Sequence, residues 1–348
     1  MRALTVIPRK ADSAALAEVP EPAATQGDVL VRASTVGVCG TDREILAGKH
    51  GELPPGEARL ILGHEAVGRV LSAPDGSNLH EGDWVVGIVR HPDPLPCDSC
   101  AVGEWDMCRN GRYTEHGIKG RHGFATERYR LQPDFALAIP PALGKLGVLV
   151  EPTSIVAKAW DQIERIGRRA HFGPQRVLVT GAGPIGLLAA LLGVQRGLEV
   201  HVLDRTQDGP KPALVRDLGA AYHVGKVDDL CRESDIVLEC TGAADVIFAA
   251  IYSARPNGII CLAGVSSGGA IAAVDVGAVN RELVMENNVV FGSVNANRRH
   301  YEQAVDALAK ADRAWLERLI TRRMRLDDWR DALAKHPGDV KTVFDFGA

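Results

Sequence analysis

The hexapeptide Gly181-Ala182-Gly183-Pro184-Ile185-Gly186 constrains this chain more than any other stretch. An apolar run, Arg176-Val177-Leu178-Val179-Thr180, leads into it, and Leu187-Leu188-Ala189-Ala190-Leu191-Leu192 follows. A buried strand thus turns directly into an apolar helix. In that setting Gly181 permits the tight turn, Gly183 lets the backbone approach a pyrophosphate, and Gly186 lets helix and strand pack closely, while free N–H groups at the helix start face the anion. Pro184 suits a first helical turn, where its missing donor is not needed. The strand-turn-helix context, more than the bare glycine spacing, points to dinucleotide binding.

The rest of the chain arranges itself around this turn. Beyond a helical stretch at Ile155 to Ile166, short apolar strands are predicted at Glu199 to Leu203, Asp235 to Cys240, Gly258 to Ala263 and Val289 to Ser293, alternating with helical segments. That alternation implies an α/β unit with a doubly wound parallel sheet. Upstream the grammar differs. From residue 1 to about 150, short β-like runs such as Asp28 to Ala33 and Trp84 to Val89 are separated by Pro- and Gly-rich turns, which reads as a β-rich barrel. Tyr301 to Lys310 has the pattern of an amphipathic helix, and Lys341-Thr342-Val343-Phe344-Asp345-Phe346 alternates like one closing strand. The expected organisation is a first domain over 1–155, completed by about 300–348, and a dinucleotide-binding domain over 156–299. A length of 348 residues suits two such domains.

Forty basic against 44 acidic side chains leave a formal charge of -4, and no Lys/Arg cluster provides the footprint that nucleic acid requires. The amino terminus, Met1-Arg2-Ala3-Leu4-Thr5-Val6, does not read as a secretory signal, and the apolar run Ile185 to Val194 is too short to span a bilayer. The expectation is a cytoplasmic enzyme with neither nucleic acid nor membrane as partner. Three of the seven cysteines bunch at Cys97, Cys100 and Cys108, which in a reducing compartment argues for metal ligation over disulfides.

Asp204 follows the glycine turn at close to the spacing, roughly 20 residues, expected of the acid that receives the ribose hydroxyls of NAD. A 2′-phosphate about 4 Å from that carboxylate would meet repulsion on the order of 4 kcal/mol per unit charge at an effective dielectric near 20. NAD is therefore expected, and the adjacent Arg205 keeps NADP within reach.

In the first domain, Gly37-Val38-Cys39-Gly40-Thr41-Asp42 and Gly63-His64-Glu65-Ala66-Val67-Gly68 stand where glycine-rich turns meet apolar runs. Cys39, His64 and Glu65 supply thiolate, imidazole and carboxylate, the ligand types of zinc, and a catalytic zinc site keeps its fourth position open. Glu151-Pro152 stands where the first domain hands over to the second, so Glu151 could act there as a ligand directly or through water. A Lewis acid beside a dinucleotide provides both halves of a hydride-transfer enzyme.

Gly-Val-Cys-Gly-Thr-Asp, Gly-His-Glu-x-x-Gly, the Glu-Pro pair and Gly-x-Gly-x-x-Gly, in this order over essentially the whole chain, resemble the zinc-containing medium-chain dehydrogenases. Within them, Cys39 to Ile45 and Leu62 to Gly68 look most like the glucose (aldose) 1-dehydrogenases. The resemblance implies an α/β chain with a GroES-like β-barrel catalytic domain plus a Rossmann doubly wound parallel sheet. It implies a catalytic zinc on Cys39, His64 and either Glu65 or Glu151. Glu115 and Asn295 would contact sugar hydroxyls or the nicotinamide end, Thr41 and Glu151 would join them at the substrate, and Pro184, Ile185 and Thr241 would join the cofactor site. A homotetramer or homodimer is implied as well.

The chain also departs from the family. A structural-zinc lobe commonly reads C-x2-C-x2-C-x7-C, and here Pro94 stands at the first cysteine position before Cys97, Cys100 and Cys108. Asp93 or His91 could supply the fourth ligand, or the lobe could be metal-free. Members that prefer NADP often read Asn-Arg-Arg where this chain reads Asp204-Arg205-Thr206, so NAD, or dual use, follows. The expected reaction is transfer of hydride from C1 of an aldose such as D-glucose, with Thr41 or a water relaying the hydroxyl proton, to give a lactone. The alternatives are a polyol or secondary-alcohol dehydrogenase of the same superfamily, and a nucleotide-sensing protein that kept the fold without catalysis.

Overall fold

The computed structural model describes residues 1–266 and 273–347. They form two compact units, Met1–Ser154 with Asn295–Ala348, and Ile155–Val294. The chain returns to the first unit at Asn295, a few residues before the return expected near 300.

The first unit is built on a largely antiparallel sheet. Its order is Ala136–Ala138, Trp84–Gly87, Glu65–Ser72, Val29–Gly37, Lys341–Asp345 and Ile320–Met324, with Arg128–Leu131 also paired to Val29–Gly37. The period of two turns Val29, Val31 and Ala33 into the core and leaves Arg32 exposed. A register shift between Ala33 and Thr35 then resets the parity, so Val36 joins the same core. The Val29–Gly37 strand runs four residues past the predicted Ala33. The closing strand ends one residue earlier than predicted, at Asp345. The Arg298–Lys310 helix starts three residues before the expected Tyr301, and at its start the Asn297 N–H donates to His300 Nδ1 at 3.2 Å. The helices Arg313–Leu319 and Trp329–Leu333 and the strand Ile320–Met324 were not anticipated. They are short, and Arg322 and Arg323 interrupt the apolar signal of the strand.

In the second unit six parallel strands lie in the order Ala221–His223, Glu199–Leu203, Arg176–Thr180, Ile236–Glu239, Ile259–Leu262, Val289–Gly292. Leu178, Val237, Ile260, Cys231 and Ala250 form a core under one face. The helix predicted from Ile155 begins earlier and spans Val150–Gly167. Pro152 fits a first helical turn, so Glu151 stands in that turn and not on an extended hinge. No helix among the described residues is long and apolar enough to cross a membrane.

Candidate active site

Two strand ends and a helix start assemble the first group. Cys39 caps the Gly40–Leu46 helix just after the Val29–Gly37 strand, and His64 immediately precedes the Glu65–Ser72 strand. Because Gly37 pairs with Glu65 in register, the two motifs meet. Ligand atoms of Cys39, His64 and Glu65 all lie within 4.8 Å of one another, with His64 and Glu65 buried and Cys39 half-buried. Ligands about 2.0–2.3 Å from a tetrahedral zinc are separated by roughly 3.3–3.8 Å, so this donor set fits zinc in both chemistry and spacing.

Each ligand has a charged partner that sequence reasoning missed. Asp42, buried at 3% exposure, accepts a hydrogen bond from the Cys39 N–H at 2.8 Å and faces His64 Nδ1 at 3.5 Å. A carboxylate paired with one imidazole nitrogen in this way fixes the ring and would leave Nε2 for a metal. Burial opposes a charged His64, yet Asp42 and Cys39 outweigh it and raise its pKa well above the ordinary value. On the other side, the Lys341 ammonium pairs with Glu65 Oε2 and donates to the Val38 carbonyl at 3.1 Å, itself only 2% exposed. Lys341 arrives on the closing strand, where Val343 pairs with Gly37. A Cβ on Gly37 would collide with Glu65 Oε2 and come within 3.0 Å of Lys341 Cε, so the glycine makes room for the ion pair. The motif residue Asp42 was legible in part, being printed within Gly-Val-Cys-Gly-Thr-Asp. Lys341 carried no signal beyond a lysine in a buried strand.

Glu151 is buried and lies outside the 4.8 Å group. Burial first, and then the charge of Glu65, push its pKa up to about 8. Thr41 occupies the first turn of the Gly40–Leu46 helix and is half-buried. Glu115 and Asn295 come together: Asn295 Nδ2 donates to Glu115 Oε1 at 2.7 Å. Arg90, which the motifs did not flag, donates to the same oxygen at 3.0 Å and stacks over Tyr113 with its guanidinium carbon 3.7 Å from the ring centre. Asn295 holds a left-handed backbone at φ 62°, a conformation asparagine tolerates better than most residues.

In the second unit, Gly181-Ala182-Gly183 joins strand Arg176–Thr180 to helix Pro184–Gln195. A Cβ on Gly186 would collide with the Gly181 carbonyl, whereas one on Gly183 would meet nothing within 4 Å. The third glycine therefore serves packing, and the middle one borders open space that a pyrophosphate fits. Ile185 lies in the first turn of that helix. Thr241 packs its methyl against Gly181, and its N–H bonds Glu239 at 2.7 Å. Asp204 directly follows strand Glu199–Leu203 and accepts the Ala182 N–H at 2.7 Å, tying the acid to the glycine turn.

Residues 144–346 match the family described as "Glucose dehydrogenase C-terminus", and residues 25–141 match the "Alcohol dehydrogenase GroES-like domain". A glucose 1-dehydrogenase of Methanocella arvoryzae is 40% identical over 100% of both chains. The chain belongs to the glucose dehydrogenase family. Among solved structures, the Haloferax mediterranei glucose dehydrogenase in complex with NADP, Zn and gluconolactone superposes with a TM-score of 0.91 at 34% identity, covering 100% of both chains. Galactitol-1-phosphate dehydrogenase from Escherichia coli, with a TM-score of 0.80 at 23% identity over 99% of this chain and 100% of that one, shares the fold. The GroES-like barrel and Rossmann sheet expected of a zinc-dependent medium-chain dehydrogenase are thus the architecture of this chain.

This member of the glucose dehydrogenase family carries a second ligand group in the segment 97–108. Cys97 and Cys100 flank the start of the Asp98–Ala101 helix, and with Cys108 their sulfurs lie within 4.8 Å of one another. The Arg109 N–H donates to Cys97 Sγ at 3.4 Å, and that bond with others from the backbone lowers the Cys97 pKa to about 6, while burial raises Cys100 to about 11. Neither expected fourth ligand joins them. Asp93 Oδ1 accepts from Leu95 N at 2.8 Å, and Oδ2 accepts from Asn110 at 2.9 Å and from Arg112 at 3.3 Å. His91 stacks on Phe135 with ring centres 3.7 Å apart, and burial pushes its pKa strongly down. The three thiols suit zinc by type, and among the described residues no fourth ligand atom joins their group.

Proposed function

We propose that this chain oxidises the C1 hydroxyl of an aldose such as D-glucose to the aldonolactone and passes the hydride to NAD or NADP. Cys39, His64 and Glu65 would hold the catalytic zinc, and the observation that carries the reading is their grouping within 4.8 Å in a chain of this family. Bound zinc supplies Lewis-acid polarisation of the substrate hydroxyl, and a bound nicotinamide dinucleotide accepts the hydride.

The chain's own residues do the rest. Asp42 holds the imidazole of His64, and Lys341 holds the carboxylate of Glu65, so the ligand atoms are placed before the substrate arrives. Glu115 and Asn295, joined at 2.7 Å and braced by Arg90, present an acceptor and an amide to sugar hydroxyls, which must each find a partner when buried. Thr41 takes the hydroxyl proton towards solvent. Glu151, protonated more readily than an ordinary carboxylate, faces the substrate directly or through water. Gly183 and the N–H groups of helix Pro184–Gln195 receive the pyrophosphate, and Asp204 receives the ribose.

Purified enzyme assayed with NAD and NADP against glucose, galactose, xylose, sorbitol and threonine tests this. Lactone formation from an aldose is expected. Faster turnover of sorbitol or threonine would replace the aldose reading with a polyol or secondary-alcohol one, and an inactive protein without zinc would remove the enzyme reading.

The chain should associate with further copies as a homodimer or homotetramer. Val276, Val284, Met285 and Val294, between 57% and 72% exposed, cluster in sequence around the edge strand Val289–Gly292, which among the described residues is paired on one side only. Light scattering of the purified protein checks this, a monomer being the refuting result. A cytoplasmic location fits seven cysteines that are all free thiols, three of them gathered within 4.8 Å of one another.

A further inference from the structure

Asp204 is only 8% exposed at its side chain, and its contacts set what the adenosine ribose can bring with it. Oδ1 accepts the N–H of Thr206 at 2.9 Å, and Oδ2 accepts the N–H of Ala182 at 2.7 Å. A third donor is the Lys211 ammonium, 3.1 Å from Oδ2 and 17% exposed at its side chain. Lys211 lies in the first turn of helix Pro210–Asp217, and no sequence motif pointed to it. Arg205, the residue expected to accommodate a 2′-phosphate, is exposed and makes no hydrogen bond or ion pair among the described residues.

These contacts change the electrostatic reading of the site. A carboxylate offers about four lone-pair positions and an ammonium three donors. Three donors already reach Asp204, so one acceptor position remains for a ribose hydroxyl, and Lys211 keeps two N–H donors beyond the one it gives Asp204. The ion pair carries no net charge, so the repulsion that a bare Asp204 would exert on a 2′-phosphate is largely cancelled. The cation that cancels it is itself a phosphate ligand.

We propose that Asp204 and Lys211 act as one cofactor-reading pair, the carboxylate receiving one ribose hydroxyl of NAD and the ammonium receiving the 2′-phosphate of NADP, so that Lys211 rather than Arg205 admits both dinucleotides. This rests on the cofactor site described above. It makes Lys211 a specificity residue of this chain, supplied by the helix after the ribose-binding strand and not by the residues that directly follow Asp204.

Calorimetric binding of 5′-AMP and 2′,5′-ADP to the zinc-loaded full-length protein reads the proposal without relying on turnover. Lys211→Met should weaken 2′,5′-ADP by about tenfold or more and leave 5′-AMP within about threefold, because only the phosphate loses a charged donor. Lys211→Arg should restore 2′,5′-ADP binding, and Arg205→Ala should change either nucleotide by less than about threefold. Loss of 2′,5′-ADP in Arg205→Ala but not in Lys211→Met would overturn the proposal. So would an equal loss of both nucleotides in Lys211→Met, which would make the lysine a structural anchor of Asp204. Wild-type protein that binds neither nucleotide would overturn the cofactor site itself, and this assignment with it.

Discussion

The Cys39–His64–Glu65 and Cys97–Cys100–Cys108 groups each place three ligand atoms within 4.8 Å, yet they are built in opposite ways. The first draws on a helix start and a strand end brought together by sheet register, and its neighbours Asp42 and Lys341 are buried and charged. The second comes from one short segment, Cys97 is stabilised by backbone N–H groups, and two of the three cysteines are partly exposed. The difference separates a site whose geometry the whole barrel enforces from one that a local loop can form and lose. Charged partners at the first also make its ligands interdependent, because removing one leaves another buried without compensation.

The sharpest test of this contrast is removal of a ligand from each group. Cys39→Ala should lower kcat/KM for the aldose by on the order of a thousandfold and remove about one zinc per chain by elemental analysis. Retention of full zinc and activity would break the site assignment. Next in size is the buried pair. Lys341→Met leaves Glu65 as a lone buried carboxylate and should cost about 3–5 kcal/mol in urea unfolding, whereas adding Glu65→Gln should recover much of the loss. A cost below about 0.5 kcal/mol would show the pair to be solvent-screened and the contrast between the groups to be false.

The segment that carries the thiols is framed by paired strands, Arg90–His91 and Thr114–His116. Burial lowers the His116 pKa to about 3, with the His122 carbonyl only partly opposing it, and depresses His91 further. Both pKa values are lower folded than unfolded, so their contribution to stability is fully present above about pH 6.5 and is lost as pH falls towards 3. At pH 5 each histidine should cost about 2 kcal/mol relative to pH 7. Urea unfolding at the two pH values measures it, and a His116→Gln variant with the same pH slope as wild type would contradict it. The smallest effect is expected at the thiols themselves. Cys108→Ser should release any metal held there to a chromophoric chelator and leave kcat within about threefold. A loss of activity as large as that of Cys39→Ala would mean that the two groups are not separable.

Much of this was legible along the chain, because the signals act over a few residues. The glycine turn between strand and helix, the strands around it, and the His64-Glu65 and Cys39 motifs are local patterns of sterics and donor type, and the sheet forms with the strands close to where the apolar runs lie. The strand Ala221–His223 was missed because three residues carry no period, and Glu151 was set on a hinge because a proline reads as a break unless it falls in a first helical turn. Partners from distant segments were decided only in three dimensions. Lys341 reaches Glu65 and Asn295 reaches Glu115 because strand order and packing bring them there, and even Lys211, near Asp204 in sequence, meets it only through the placement of the helix that follows the strand. The sequence by itself determined which residues offer the donor types that zinc, sugar and nucleotide require, since that is a matter of side-chain chemistry. Only the tertiary structure decided which charges compensate them, since a buried charge takes its partner from whatever the fold places within a few ångströms.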